Sequence, residues 1–267
     1  MGDIGKIYGT SRTAIYKKLK KYGIMQRSKS EARLVAQKEG KLPQQFFEIN
    51  ENFFSRWSPE MAYVLGLIIT DGCITRTGVI SLDMNDKELL EKVKKVMGSA
   101  HNITPSRQQK GLYHFHFARE KLVEDLHKFG IFPRKSLTVK FPDVPGDFLT
   151  HFIRGVFDGD GSVLFKKESK NFPLVTKFFS GSKDFIEKLE MKLQDLDMPK
   201  RTIYQQKTKN GLYYTIVYGH KDSKRLFTIL YKNTQNGLFL ERKYRRFLEG
   251  LREAEYGERT RGMVPIT

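Results

Sequence analysis

Two nine-residue stretches decide how this chain folds: VLGLIITDG, Val64 to Gly72, and IRGVFDGDG, Ile153 to Gly161. Each closes an apolar run of helical period. Gly66 and Thr70 stand four residues apart in the first, and Gly155 and Gly159 do so in the second. Residues at that spacing share one helix face, so each helix carries a stripe of small side chains along which a second backbone can approach. Two such helices are expected to cross tightly about a pseudo-twofold axis, with Gly66 and Gly155 as the packing residues. The crossing brings Asp71 and Asp160 side by side at two helix C-termini, where helix dipole and mutual repulsion both disfavour carboxylates. Gly72 and Gly161 are expected to end the helices in the left-handed conformation that glycine accepts.

Working outward, helical and strand-like runs succeed one another in an order that occurs twice. The first pass reads helix 58–70, short strands in 73–82, helix 86–97, a strand over GLYHFHF (Gly111 to Phe117) and helix 119–129. The second reads helix 146–157, strands in 162–179, helix 183–196, a strand over GLYYTIVY (Gly211 to Tyr218) and helix 221–231. Asp71 and Asp160, Gly111 and Gly211, and Lys135 and Lys243 are matching anchor points whose offset grows from 89 to 100 to 108. This is an α+β unit, αββαββα, duplicated in one chain with longer loops in the second copy. The expected organisation is a helical segment at 1–28, a linker at 29–57, one repeat at 58–145 and a second, with a C-terminal helix, at 146–267.

Within the first segment, 3–8 and 11–22 read as two short helices around Gly9, with Ser11 as N-cap and Gly23 just past the end. Ala14, Ile15 and Leu19 form the apolar stripe of the second helix, leaving Arg12, Thr13, Tyr16 and Lys17 to face outward. That pattern resembles a helix-turn-helix whose second helix enters a major groove. The polar stretch from Lys29 to Gln45, closed by Pro43, has linker composition.

Composition narrows the partner. Forty-eight Lys and Arg against 30 Asp and Glu give a formal charge of +18, which favours a polyanion. Residues 1–57 alone carry 12 basic against 5 acidic residues. The longest apolar run, Met61 to Ile69, falls well short of the roughly 20 residues that cross a bilayer. No secretory signal is evident, and a single cysteine, Cys73, provides neither a disulfide nor a thiolate cluster. An intracellular setting, cytoplasmic or organellar, is expected.

The two glycine-aspartate stretches resemble the motif that names the LAGLIDADG homing endonucleases, and the likeness in spacing and order of elements extends over about 58 to 250. The resemblance implies a site-specific enzyme that hydrolyses phosphodiester bonds, making metal-dependent staggered breaks in double-stranded DNA at a long asymmetric target. It also implies a single chain working as a monomer. The acid at the eighth motif position binds metal and the preceding carbonyl assists, which assigns Asp71 with Thr70 and Asp160 with Gly159. A divalent cation would offset the carboxylate repulsion; Mg²⁺ suits it because it takes few protein ligands and fills its shell with water and phosphate oxygens. Mn²⁺ is expected to substitute and Ca²⁺ to support binding only. Lysines following the last helix of each repeat, here Lys135 and Lys243, are implied to activate water or steady the pentacovalent phosphate. The motifs differ at their sixth position, Ile69 against Asp158, so Asp158 reads as structural or peripheral.

In that family the strands form a saddle over the major groove, which makes Arg76, Arg107, Gln109, Lys166, Lys177, Gln205 and Lys207 candidate DNA contacts alongside the N-terminal helix. Two other readings use the same fold: a catalytically silent DNA-binding regulator, and a maturase acting on intron RNA. Both acids are present, which favours the nuclease. The six histidines include no HNH-like arrangement. His114 and His116 share one strand face and suggest a metal pair, but no third ligand is evident near them in sequence, and a strand pair contacting DNA or packing on a helix is the favoured reading.

Overall fold

The structure, a computed structural model, describes residues 7–25, 35, 36, 39, 47–165, 174–208, 211–234 and 236–262, with the side chains of Arg12 and of the last ten of these outside the description. It divides into a unit at Met1–Phe46 and a larger one at Phe47–Thr267. In the smaller unit, helix α1 (Arg12–Lys21) is capped by the Ser11 hydroxyl, which accepts a hydrogen bond from the Ala14 N–H at 3.2 Å. Its C-terminus turns at Gly23, φ 65°. Ile15 is buried, while Thr13, Tyr16 and Lys17 are exposed. The companion helix expected at 3–8 lies, but for its end, outside the described residues, as do most of the linker and Lys166.

The larger unit contains α2 (Pro59–Thr70), β1 (Gly72–Ile74), β2 (Ile80–Met84), α3 (Lys87–Val96), β3 (Ile103–Pro105), β4 (Tyr113–Phe117) and α4 (Glu120–Lys128). A 3₁₀ turn at Lys135–Leu137 follows. The order then recurs as α5 (Gly146–Asp160), β5 (Ser162–Phe165), β6 (Leu174–Ser180), α6 (Lys183–Asp195), β7 (Tyr204–Thr208), β8 (Gly211–Tyr218) and α7 (His220–Tyr231), closed by α8 (Glu241–Gly262). Each half is the expected αββαββα unit. Its sheet is four-stranded and antiparallel, ordered β1-β2-β4-β3 in one half and β5-β6-β8-β7 in the other. The edge strands β3 and β7 are not marked in sequence. Every residue of β7 is exposed, so it lacks the apolar alternation that marks a half-buried strand.

Helix α2 starts where its sequence starts it: the Ser58 hydroxyl accepts from the Met61 N–H at 3.1 Å, and Pro59 occupies the first turn, where a missing N–H costs nothing. From Met61 to Ile69 it is buried on every side. It packs along α5, which is likewise buried at every residue from His151 to Asp158. Around this pair lies one apolar core to which both sheets contribute, with Ile80, Leu82, Phe115 and Phe117 from one and Leu174, Phe178, Ile216 and Tyr218 from the other. Strand alternation then directs Asp83, His114 and His116, and Lys177 and Val217, to the opposite faces of the sheets.

Candidate active site at the helix crossing

The small-residue stripes are in contact. A Cβ on Gly155 would sit 2.1 Å from the Tyr63 carbonyl oxygen, and one on Gly66 would sit 2.4 Å from that of Phe152. One turn further, a Cβ on Gly159 would overlap the Thr70 hydroxyl oxygen at 1.9 Å and lie 3.4 Å from Asp71 Oδ2. The Thr70 hydroxyl itself turns back onto the Gly66 and Leu67 carbonyls, both at 3.1 Å. Backbone therefore meets backbone along the crossing, and the two acids emerge together at its end.

Gly72 and Gly161 do not adopt the left-handed conformation expected of them. Gly161 is extended, φ −76° and ψ 161°, and Gly72 opens strand β1. Glycine is required for space: a Cβ at Gly72 would lie 2.6 Å from both Cα and O of Ile68, and one at Gly161 2.4 Å from the Phe157 carbonyl oxygen. Each helix passes directly into the first strand of its sheet, and a side chain at the junction would strike the last helical turn.

Partial removal from water, and then the neighbouring Asp160, push the Asp71 carboxyl up to about 6, against the pull of Lys243 and Lys135. Asp160 is exposed on one side and crowded by protein on the others, which raises its carboxyl too; Lys243 and Lys135 oppose the rise. The lysines are buried, each 5% exposed. Lys135 Nζ donates to the Gly72 carbonyl at 2.6 Å. Arg134, just before it, is held left-handed at φ 64°, an uncommon and costly conformation for a non-glycine residue that turns the chain so as to send Lys135 inward. Lys243 Nζ donates to the carbonyls of Phe157 and Asp158 at 2.7 Å and of Gly159 at 3.0 Å, capping the C-terminus of α5. Burial lowers both ammonium groups, Lys243 to about 8.

Asp158 is structural and fully interior. Its carboxylate accepts from the Tyr63 hydroxyl at 2.7 Å, the Leu240 N–H at 2.9 Å and the Tyr231 hydroxyl at 3.3 Å. Leu240 immediately precedes α8, so Asp158 caps the start of α8 while Lys243, one turn into α8, caps the end of α5. That exchange accounts for the mismatch between the motifs. Repeat one closes with a 3₁₀ turn that presents no such helix end, and the matching residue is the buried Ile69. Arg154, also fully buried, was not anticipated from sequence. It donates to the carbonyls of Leu238 and Leu230 at 2.9 Å and of Asn233 at 3.2 Å, fixing the segment that leads into α8.

The candidate contacts on the sheets do not share one surface. Arg76, Arg107 and Gln109 are exposed in the turns between strands. Lys177 lies on the face away from the helices. Gln205 and Lys207 pair with Tyr214 and Leu212, whereas Tyr204, Gln206 and Thr208 pair with Thr215, Tyr213 and Gly211 and share the face of Lys177. Sequence could not fix the register of a strand with no apolar alternation, and pairing with β8 puts Gln206, rather than Gln205 and Lys207, on the face of Lys177. Near His114 and His116, β2 supplies the third group absent from the local sequence, Asp83.

The donor set at the crossing fits a hard cation: two carboxylates that repel one another, oxygen donors only, and one side open to solvent. Asp71 and Asp160 would hold it. The Gly159 carbonyl already accepts from Lys243, and its second lone pair is what it could offer.

A duplicated α+β unit whose lead helices cross on glycine and present one acid each defines the class, and the comparisons agree. The chain belongs to the family of LAGLIDADG-like domains, which matches residues 58–128 and 147–231. Its fold is similar to that of meganuclease I-SmaMI bound to uncleaveable DNA with a TTGT central four, with a TM-score of 0.51 at 14% identity over 78% of this chain and 94% of that one. It is similar also to LAGLIDADG meganuclease I-AabMI bound to uncleaved DNA, with a TM-score of 0.51 at 14% identity over 76% and 92%. No curated protein matches. Among the described residues no helix is long and apolar enough to cross a membrane.

Proposed function

We propose that this chain is a site-specific DNA endonuclease acting as a monomer, with Asp71 and Asp160 as the paired carboxylates of one metal-dependent active site. The observation that carries the reading is their placement: two acids at adjoining helix ends, one of them raised to about 6 by burial and by its neighbour. A protein would not hold that arrangement for stability alone. The +18 charge and the DNA bound by the two meganucleases of the same fold support the choice of substrate.

Mg²⁺ held between the carboxylates would polarise the scissile phosphate and lower the pKa of an attacking water. The chain's own residues do the rest. Tight crossing at Gly66 and Gly155 fixes the spacing of the acids, and Lys135 and Lys243 brace the two helix ends from which they project. Their buried ammonium groups add positive charge beside a phosphate. Lys177 and Gln206, on the outer face of the second sheet, and Arg76, Arg107 and Gln109, in the turns of the first, would contact backbone or base edges. The exposed face of α1, Thr13, Tyr16 and Lys17, would extend the contact. Because the halves differ in sequence, the target is asymmetric, and the two strands are cut in a staggered manner.

The test is cleavage of the uninterrupted form of the gene that surrounds this reading frame. Cutting should require Mg²⁺ or Mn²⁺, and Ca²⁺ should allow binding alone. Asp71→Asn and Asp160→Asn should each abolish double-strand cleavage at retained affinity. Cutting at the parental rate by either variant, or in EDTA, refutes the assignment.

A further inference from the structure

Away from the helix crossing, the outer face of the first sheet gathers a second set of ligand-type side chains. Asp83 lies on β2 directly across from His114 on β4, and His116 follows two residues along, so the strand period puts all three on one face. Asp83 Oδ1 is 3.0 Å from His114 Nδ1 and 2.9 Å from His116 Nε2. One ligand atom from each residue lies within 4.8 Å of the other two. His116 Nε2 makes a regular hydrogen bond to the carboxylate. His114 does not: its Nδ1 is buried and, although close to Asp83, lies off the line of a hydrogen bond, so it has no such partner among the described residues.

We propose that Asp83, His114 and His116 form a binding site for a transition-metal ion of the Zn²⁺ class, separate from the Asp71 and Asp160 site and unlike it in chemistry. Two imidazole nitrogens and one carboxylate oxygen are the donor set of such ions, whereas Mg²⁺ and Ca²⁺ select oxygen. On a tetrahedral ion, with bonds of about 2.0–2.2 Å, neighbouring ligand atoms stand about 3.3 Å apart. The two separations from the carboxylate to the imidazoles need to change by only a few tenths of an ångström, and the two imidazole nitrogens stand within 4.8 Å of one another. The ion would take the lone pair of His114 Nδ1, which points toward Asp83. Three protein ligands leave a fourth position, and the exposure of His116, 48% of its side chain, places that position toward solvent.

The site goes beyond the nuclease reading and does not depend on it. Where the two meet, the ion makes sense of an oddity: a carboxylate on the sheet face offered to a polyanion repels it. A bound dication reverses the local charge and leaves a coordination position for a phosphate oxygen.

Zn²⁺ titration of the full-length protein by calorimetry, with Co²⁺ followed by visible absorption, tests this. The chain carrying Asp71→Asn and Asp160→Asn should still bind one Zn²⁺, and its Co²⁺ complex should show the intense bands of a four-coordinate site. His116→Ala removes one exposed ligand, and Asp83→Asn removes the anionic ligand at constant size; each should weaken Zn²⁺ binding at least about 100-fold, more than the loss of an outer-shell partner does. No saturable binding by the chain with both catalytic acids replaced, or parental affinity in either His116→Ala or Asp83→Asn, overturns the proposal. Failure here leaves Mg²⁺-dependent cleavage untouched, so the two readings fail separately.

Discussion

Replacing Gly155 with alanine tests the crossing on which the site depends. The new Cβ would lie 2.1 Å from the Tyr63 carbonyl oxygen, 3.0 Å from its carbon and 3.1 Å from the Gly66 Cα, all backbone atoms that cannot rotate aside. Ordinary contact begins near 3.4 Å, so the helices must separate by about 1.3 Å. Overpacking of this kind costs about 3 kcal/mol, the upper end of its usual range because the obstacle is backbone. Alanine returns about 1 kcal/mol through its higher helix propensity. The net loss of about 2 kcal/mol should lower the melting temperature by about 4–8 °C. Gly146→Ala, in the first turn of the same helix with no atom within 4 Å of the added carbon, is the control and should stay within about 0.5 kcal/mol of the parent. Widening also moves Asp71 from Asp160, and a displacement near 1 Å should cut the cleavage rate on the order of 100-fold. Thermal and urea unfolding, with single-turnover cleavage on the same samples, measure both effects. A Gly155→Ala protein as stable and active as Gly146→Ala would refute the backbone-on-backbone crossing.

In EDTA at neutral pH, Asp71→Asn should be more stable than the parent. The folded carboxyl is raised to about 6 against an ordinary 3.8, so the folded state holds the extra proton and loses stability as pH rises from about 4 to about 6. The advantage of asparagine should therefore vanish near pH 4; calorimetric melting temperatures against pH that differ by a constant amount would contradict it. Asp158→Ala strands the buried Tyr63 and Tyr231 hydroxyls and the Leu240 N–H and should destabilise by about 3–5 kcal/mol, read from urea midpoints. An effect below about 1 kcal/mol would show that these bonds do not hold α8. Deleting residues 1–45 should shorten the protected DNA footprint at one end and reduce the salt slope of binding by about one unit per lost phosphate contact, with cleavage preserved. An unchanged footprint and slope would remove α1 from the interface.

What could be read without tertiary structure were features set by local geometry. The four-residue spacing of Gly66 with Thr70 and Gly155 with Gly159 predicted helices that touch, because spacing on a helix fixes the face. Duplication predicted that the acids would meet, since two like units related by a pseudo-twofold axis bring like positions together. Ser11 was legible as a cap because a cap bonds only three residues away, and in the structure Ser58 and Ser182 cap their helices in the same way.

Longer-range facts had no local signature. A strand exposed along its whole length, such as β7, shows no apolar alternation, so only its pairing with β8 could decide that Gln206, and not Gln205, faces outward with Lys177. The spatial requirement at Gly72 and Gly161 comes from the helix-to-strand junction and not from a positive φ. Arg154 and Asp158 are charged residues with no reason, in sequence, to be interior; apart from His151, their side-chain partners lie 73 to 95 positions away in the chain. Asp83 and His116 are 33 residues apart and become neighbours only because β2 and β4 pair in this register. The sequence by itself determined which residues share a helix face and that the unit occurs twice, because those follow from backbone periods of 3.6 and 2. The tertiary structure alone decided which buried charges find partners and which side chains meet across strands, because these depend on register and crossing, which no single segment contains.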